Sequence, residues 1–244
     1  VNLIEARNWQ PLRQQKPLFE PLDWQVQGGQ FWLLAGANGC GKSTLLDTLA
    51  GLHPEYRGAL RLAGKSLTAW ASRARARQVS YLPQNEEASP DCRVIEAVQM
   101  GSYAWGQVNE KWRQEVIQTL GLGELLHRSL AHLSGGQRRA VELATSLIQD
   151  SPLLLLDEPL NQFDLAFRLR VLEFLRRQNH KAIVMASHDL ILAPQYASHA
   201  LLIFPDGHTR QGEIADMMKR DQLAALLDWP PTDALDRLWK NQNP

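Results

Sequence analysis

The sequence predicts an α/β fold with a mostly parallel sheet core, an N-terminal antiparallel β subdomain and a helical insert. Three observations predict it. An apolar segment, Phe31-Trp32-Leu33-Leu34-Ala35, runs into a glycine loop and then into leucines at helical spacing. A second run, Leu153-Leu154-Leu155-Leu156, contains no polar residue, the pattern of a strand covered by helices on both faces. Between them, residues 93–148 show mainly helical periodicity.

With 244 residues, 44% apolar and 21% charged, the chain can bury a large core, which excludes a disordered or fibrous protein. Residues 1–244 are expected to form one domain. Lys plus Arg number 26 and Asp plus Glu 26, so the bulk charge argues for no nucleic-acid partner and no polybasic anchor. No apolar run approaches the roughly 18 residues of a spanning helix. Val1-Asn2-Leu3-Ile4-Glu5 lacks the basic region and apolar core of a secretory signal. Cys40 and Cys92 make no disulfide framework and have no metal-ligand spacing, which fits a reducing, cytosolic compartment.

In chain order, residues 3–5 and 22–26 read as strands of a small antiparallel sheet, extended by residues 57–67 about the turn at Ala63-Gly64. The helix after the glycine loop carries Leu45, Leu46, Leu49 and Leu52 and is closed by Gly51 and Pro54. Arg73, Arg75 and Arg77 alternate and are expected on a solvent face. Residues 79–82 form another core strand, followed by Gln84 and the polar segment 85–91. The insert carries Val94, Ile95, Val98 and Met100, then Trp112, Val116, Ile117, Leu120, Leu125 and Leu126, with junctions near 101–106 and 121–123. Leu133-Ser134-Gly135-Gly136-Gln137 opens a helix that Pro152 ends. A helix over 165–176, strands over 182–186 and 200–204, and a tail with helices over 214–227 and 234–239 complete the chain; Pro230-Pro231 separates the last two.

Chemistry concentrates at a few points. Gly36-Ala37-Asn38-Gly39-Cys40-Gly41-Lys42-Ser43 matches a phosphate loop, a pattern expected by chance in about 1% of chains this long even before a flanking strand and helix are required. Gly36, Gly39 and Gly41 let the backbone wrap phosphate closely, with Asn38 in the same loop. Lys42 is placed to reach the β- and γ-phosphates, Ser43 to bind Mg2+, and Thr44 to add a phosphate contact. Asp157 ends a buried strand, where a carboxylate holds Mg2+, and Glu158 is placed to serve as base or to position water. Taken alone, each could be a glycine turn or a strand ending in a solvated turn; together they make a nucleotide site.

Phosphate loop, Leu-Ser-Gly-Gly-Gln, Leu-Leu-Leu-Leu-Asp-Glu-Pro and Ser187-His188-Asp189, in that order, closely resemble the nucleotide-binding subunits of ATP-binding cassette (ABC) transporters. The likeness spans roughly the first 210 residues. It implies a phosphate-loop ATPase of ABC type using ATP and Mg2+. It implies a head-to-tail dimer in which Ser134, Gly135 and Gly136, with Gln137 behind them, meet the γ-phosphate held by the other copy. Gln84 would touch Mg2+ or the attacking water, His188 the γ-phosphate, and Asp164 the partner copy. Ser134 and Asp164 also suit helix N-caps, a compatible role. Trp9 is the choice for stacking on adenine, with Phe19 as the other candidate and a structural tryptophan as the competing reading.

Further implications concern partners. Integral membrane permease subunits would dock on the insert at the cytoplasmic face of the inner membrane, served indirectly by a solute-binding protein, with no nucleic acid. The compact length, the insert and Gly101 after Val94-Ile95-Glu96-Ala97-Val98 are similar to importers of metal chelates such as iron-siderophore, haem or cobalamin. An ABC exporter ATPase and a soluble ABC ATPase are the alternatives. Asn161-Gln162-Phe163 departs from the family pattern before Asp164, and Ala140 and Thr145 stand where arginines are common, so local salt bridges are expected to be missing.

Overall fold

The computed structural model describes residues 2–84 and 92–228. The segment 85–91 and the helix expected over 234–239 lie outside the described residues. The chain starts with β1 (Asn2–Arg13), which pairs antiparallel with β2 (Lys16–Pro17), β3 (Leu22–Gln27) and β5 (Tyr56–Leu62); β6 (Lys65–Ser66) pairs with β5. The subdomain follows from simple alternation. Leu22, Trp24 and Val26 of β3 are buried while Asp23, Gln25 and Gln27 are exposed.

The second sheet contains β4 (Phe31–Gly36), β7 (Val79–Leu82), β8 (Leu153–Asp157), β9 (Ala182–Ala186), β10 (His199–Ile203) and β11 (Thr209–Glu213), in the order β11-β10-β4-β9-β8-β7. All pairs are parallel except β10–β11. Alternate residues of β4, β8, β9 and β10 enter opposite cores. Leu153 and Leu155 of β8 pack with α1 (Lys42–Ala50) and the antiparallel sheet, whereas Leu154 and Leu156 pack with the helices on the other face. At about 1.5–3 kcal/mol per large apolar side chain, this two-sided burial is the main stabilising term. Strand β11, absent from the sequence reading, has a half-exposed polar pattern and sits at the sheet edge, where no apolar signature is needed.

Residues 72–76 form a short helix, α2 (Ser72–Ala76). Arg73 in its first turn and Arg77 at its C-cap both donate to the Ala104 carbonyl, at 3.2 and 2.8 Å, and lie over the rings of Tyr103 and Trp105 respectively. Arg73 is exposed, as expected, while Arg75 and Arg77 are half-buried, and Arg73 and Arg77 also tie the insert to the core. The insert itself comprises α3 (Val94–Met100) and α4 (Glu110–Thr119), packed on α5 (Gly135–Ile148). The Trp112 indole donates to Leu147 O at 2.8 Å and stacks on Phe174 of α6 (Leu165–Arg176). Where one helix was expected over 214–227, the chain forms two short ones, α7 (Ile214–Met217) and α8 (Arg220–Leu226). No helix among the described residues is long and apolar enough to cross a membrane.

Gly101, the C-cap of α3, packs directly on α5. A Cβ there would stand 2.3 Å from the Thr145 carbonyl oxygen, an immovable backbone atom. Gly101→Ala is expected to cost about 1–3 kcal/mol, as overpacking does. Urea unfolding checks it: the midpoint falls while the slope is unchanged.

Candidate nucleotide site

Strand β4 delivers its last residue, Gly36, into a loop whose geometry only glycine satisfies. At Gly36 the reason is space, because a Cβ would lie 2.6 Å from both Cys40 Sγ and the Ile203 carbonyl oxygen. At Gly41 it is the backbone, which takes φ 108° to start α1 at Lys42. The helix therefore presents its free amides directly beneath the loop. Lys42 is nearly buried and its ammonium donates to the carbonyls of Gly36 at 2.9 Å and Ala37 at 3.2 Å. It spans the loop that a phosphate would enter.

Across the cleft stand Asp157 and Glu158, at the end of β8. Asp157 pairs in register with Ala186 of β9, and the Glu158 amide donates to the Ala186 carbonyl at 3.1 Å. Glu158 takes φ 48°, a left-handed conformation that costs roughly 1–2 kcal/mol for a residue with a Cβ. Both side chains are buried, and Asp157 Oδ2 and Glu158 Oε1 accept no hydrogen bond. His188 Nε2 is 3.0 Å from Glu158 Oε1, a contact without hydrogen-bond alignment. Burial pushes Glu158 up to about 7, against the opposing pull of the His188 backbone N–H and the Lys42 charge. Burial also raises Asp157, opposed by the Ser43 hydroxyl and Lys42. It lowers His188, and the Lys42 charge adds to the effect.

The expected residues largely converge. Asn38, Gly39, Gly41, Lys42, Ser43, Thr44, Gln84, Asp157, Glu158 and His188 line one cleft, whereas Gly36 does not line it. The orphaned oxygen of Asp157, beside a serine hydroxyl and an amide side chain, fits Mg2+, a hard cation that takes oxygen ligands. Ser134, Gly135, Gly136 and Gln137 do not line this cleft. They form an exposed to half-exposed turn in which Ser134 and Gln137 cap α5 reciprocally, at 3.3 and 3.0 Å. Asp164 is likewise outside the cleft and caps α6, accepting from the Phe167 amide at 2.8 Å.

Trp9 is a correction. Its side chain is 0% exposed, in the core between the antiparallel sheet and α1, and it does not touch the cleft. The shift in β1 pairing between Ala6 and Trp9 helps set which way the indole turns. Phe19 is buried too. Arg13 and Leu18 line the cleft instead, and sequence reasoning missed them. The only signal was the length and polarity of the 8–18 hairpin. Sequence reasoning also missed Arg139. The expected lack of local salt bridges near Ala140 fails, because Arg139, one residue earlier, pairs with Glu142 at 2.9 Å.

Comparison with known proteins agrees with this geometry. Residues 19–161, more than half the chain, match the ABC transporter family. The chain is 36% identical over 211 residues to the achromobactin transport ATP-binding protein CbrD of Dickeya dadantii, covering 82% of this chain and 78% of that protein. It is 39% identical over 200 residues to the hemin import ATP-binding protein HmuV of Gloeobacter violaceus, covering 76% and 73%. A metal-chelate type ABC transporter solved in an inward-facing conformation shares 25% identity at a TM-score of 0.78, covering 94% of this chain and 90% of that one. The chain belongs to the ABC transporter family.

Proposed function

We propose that the chain is the ATP-hydrolysing subunit that energises import of a metal chelate. Two copies would work as a head-to-tail ATP sandwich at the cytoplasmic face of the inner membrane, beneath integral permease subunits supplied by a solute-binding protein. The observation that carries the ATPase reading is the pair of buried carboxylates, each with an orphaned oxygen, facing a phosphate loop.

In this reading the loop amides and the N-terminus of α1 receive the ATP phosphates. Lys42 exchanges the carbonyls of Gly36 and Ala37 for the β- and γ-phosphates. Ser43, Gln84 and Asp157 would hold Mg2+, which when bound neutralises phosphate charge. Glu158 orients a water and takes its proton as the water oxygen bonds to the γ-phosphorus and the bond to the β,γ-bridging oxygen breaks. His188, beside Glu158, fixes the γ-phosphate. The exposed Ser134 turn, outside its own chain's cleft, supports completion of the site by the second copy. Exposed Met100, Tyr103 and Trp105 on the insert support docking of a permease segment. The name of one relative, a hemin import ATP-binding protein, favours import over export, and that of another, an achromobactin transport ATP-binding protein, agrees with a chelate as cargo.

Glu158→Gln tests the chemistry. Phosphate release should fall at least about 100-fold, the scale of general-base catalysis. ATP should still bind, and ATP-dependent dimers should accumulate in size-exclusion chromatography. Turnover at the unsubstituted rate would assign the water to another group.

The same variant carries a stability signature. Glu158 titrates higher in the folded, ligand-free chain than its ordinary 4.5, so the folded state binds that proton more tightly than the unfolded state. Its ionisation therefore lowers stability as pH rises from about 4.5 to about 7, and the full penalty persists above. In chelator-treated, nucleotide-free protein, Glu158→Gln should raise stability at pH 8 by up to about 3 kcal/mol and by little at pH 5. Thermal melts at the two pH values check this, and an equal gain at both would contradict it.

A further inference from the structure

Arg139 lies five residues beyond Ser134 on α5, and only 5% of it is exposed. Its guanidinium serves three segments at once. One terminal nitrogen donates to the Asp157 carbonyl at 2.8 Å and the Glu158 carbonyl at 3.3 Å. The other donates to the Pro83 carbonyl at 2.9 Å, directly before Gln84, and to Glu142 Oε2 at 2.9 Å. The helix that starts at the Ser134 turn is thus joined by one rigid fork to both segments that carry the water-handling groups.

We propose that Arg139 is a positioning residue: it transmits contact at the Ser134 turn to Glu158 and Gln84, so that hydrolysis begins only when the second copy is seated. This rests on the ATPase reading above and deepens it.

Three features favour coupling over simple packing. A buried cation is expensive to desolvate, and an apolar side chain of similar volume would fill the same space, often at no loss of stability. The carboxylate that Arg139 pairs with, Glu142, lies on the same helix and would be enough for local pairing. The remaining bonds all go to the backbone flanking the cleft groups, including the carbonyl of Glu158, whose left-handed backbone needs external restraint. A planar fork holds three carbonyls in fixed relation, and a lysine ammonium on a flexible stem does not.

Arg139→Lys and Arg139→Met, each alone and combined with Ser134→Ala, test this by steady-state ATP hydrolysis and ATP binding. Arg139→Lys keeps the charge and guards against a Met variant that fails to fold. Arg139→Lys should lower kcat at least about 10-fold with KM within about 3-fold. Adding Ser134→Ala to it should cost little more, because both substitutions interrupt one line of coupling. A purely structural arginine would give additive losses or a kcat unchanged in a folded variant, and either result overturns the proposal. If the unsubstituted protein hydrolyses no ATP, the ATPase reading fails instead, so the two failures are distinguishable.

Discussion

Asp157 and Glu158 stand side by side, out of water, with one oxygen each left unpartnered, and the rest of the molecule can be understood as what makes that arrangement tolerable. Neighbouring buried carboxylates resist ionisation, and Glu158 also sits in a disfavoured backbone region. Neither would persist on a flexible loop. They persist because β8 is flanked on both sides by parallel strands in register, and because its side chains fill two separate apolar cores. The parallel sheet also puts the carboxyl ends of β4 and β8 on one edge, so the phosphate loop and the acids face the same cleft.

Much of this was legible in the sequence because burial on both faces leaves an unmistakable apolar run. Residues 31–35, 153–156 and 182–186 are strands for that reason. Edge strand β11 was not legible, since Thr209-Arg210-Gln211-Gly212-Glu213 is paired on one side and half exposed. The arginines at 73 and 77 read as surface, because spacing alone could not reveal that Ala104 would present a carbonyl to both.

The site divides in the same way. Loop glycines, Lys42, the acids and His188 are recognisable because phosphate chemistry demands those residue types at fixed spacing. Trp9 misled because aromatic character says nothing of which way a ring turns, and an irregularity in β1 pairing helps decide that. Arg13, Leu18 and Arg139 matter only through tertiary placement, and no local pattern announces them. The Ser134 turn lies away from the cleft and caps α5 within its own chain.

In the proposed ATP sandwich two copies complete each other's site, and the native thiol in the phosphate loop gives a direct probe. Cys40 is free, and Cys92→Ser would leave it as the sole cysteine. In that background, Ser134→Cys followed by mild oxidation should give a covalent dimer of twice the chain mass, joined between Cys40 of one copy and position 134 of the other. A bond formed within one chain, or no bond in protein that still hydrolyses ATP, would contradict the account.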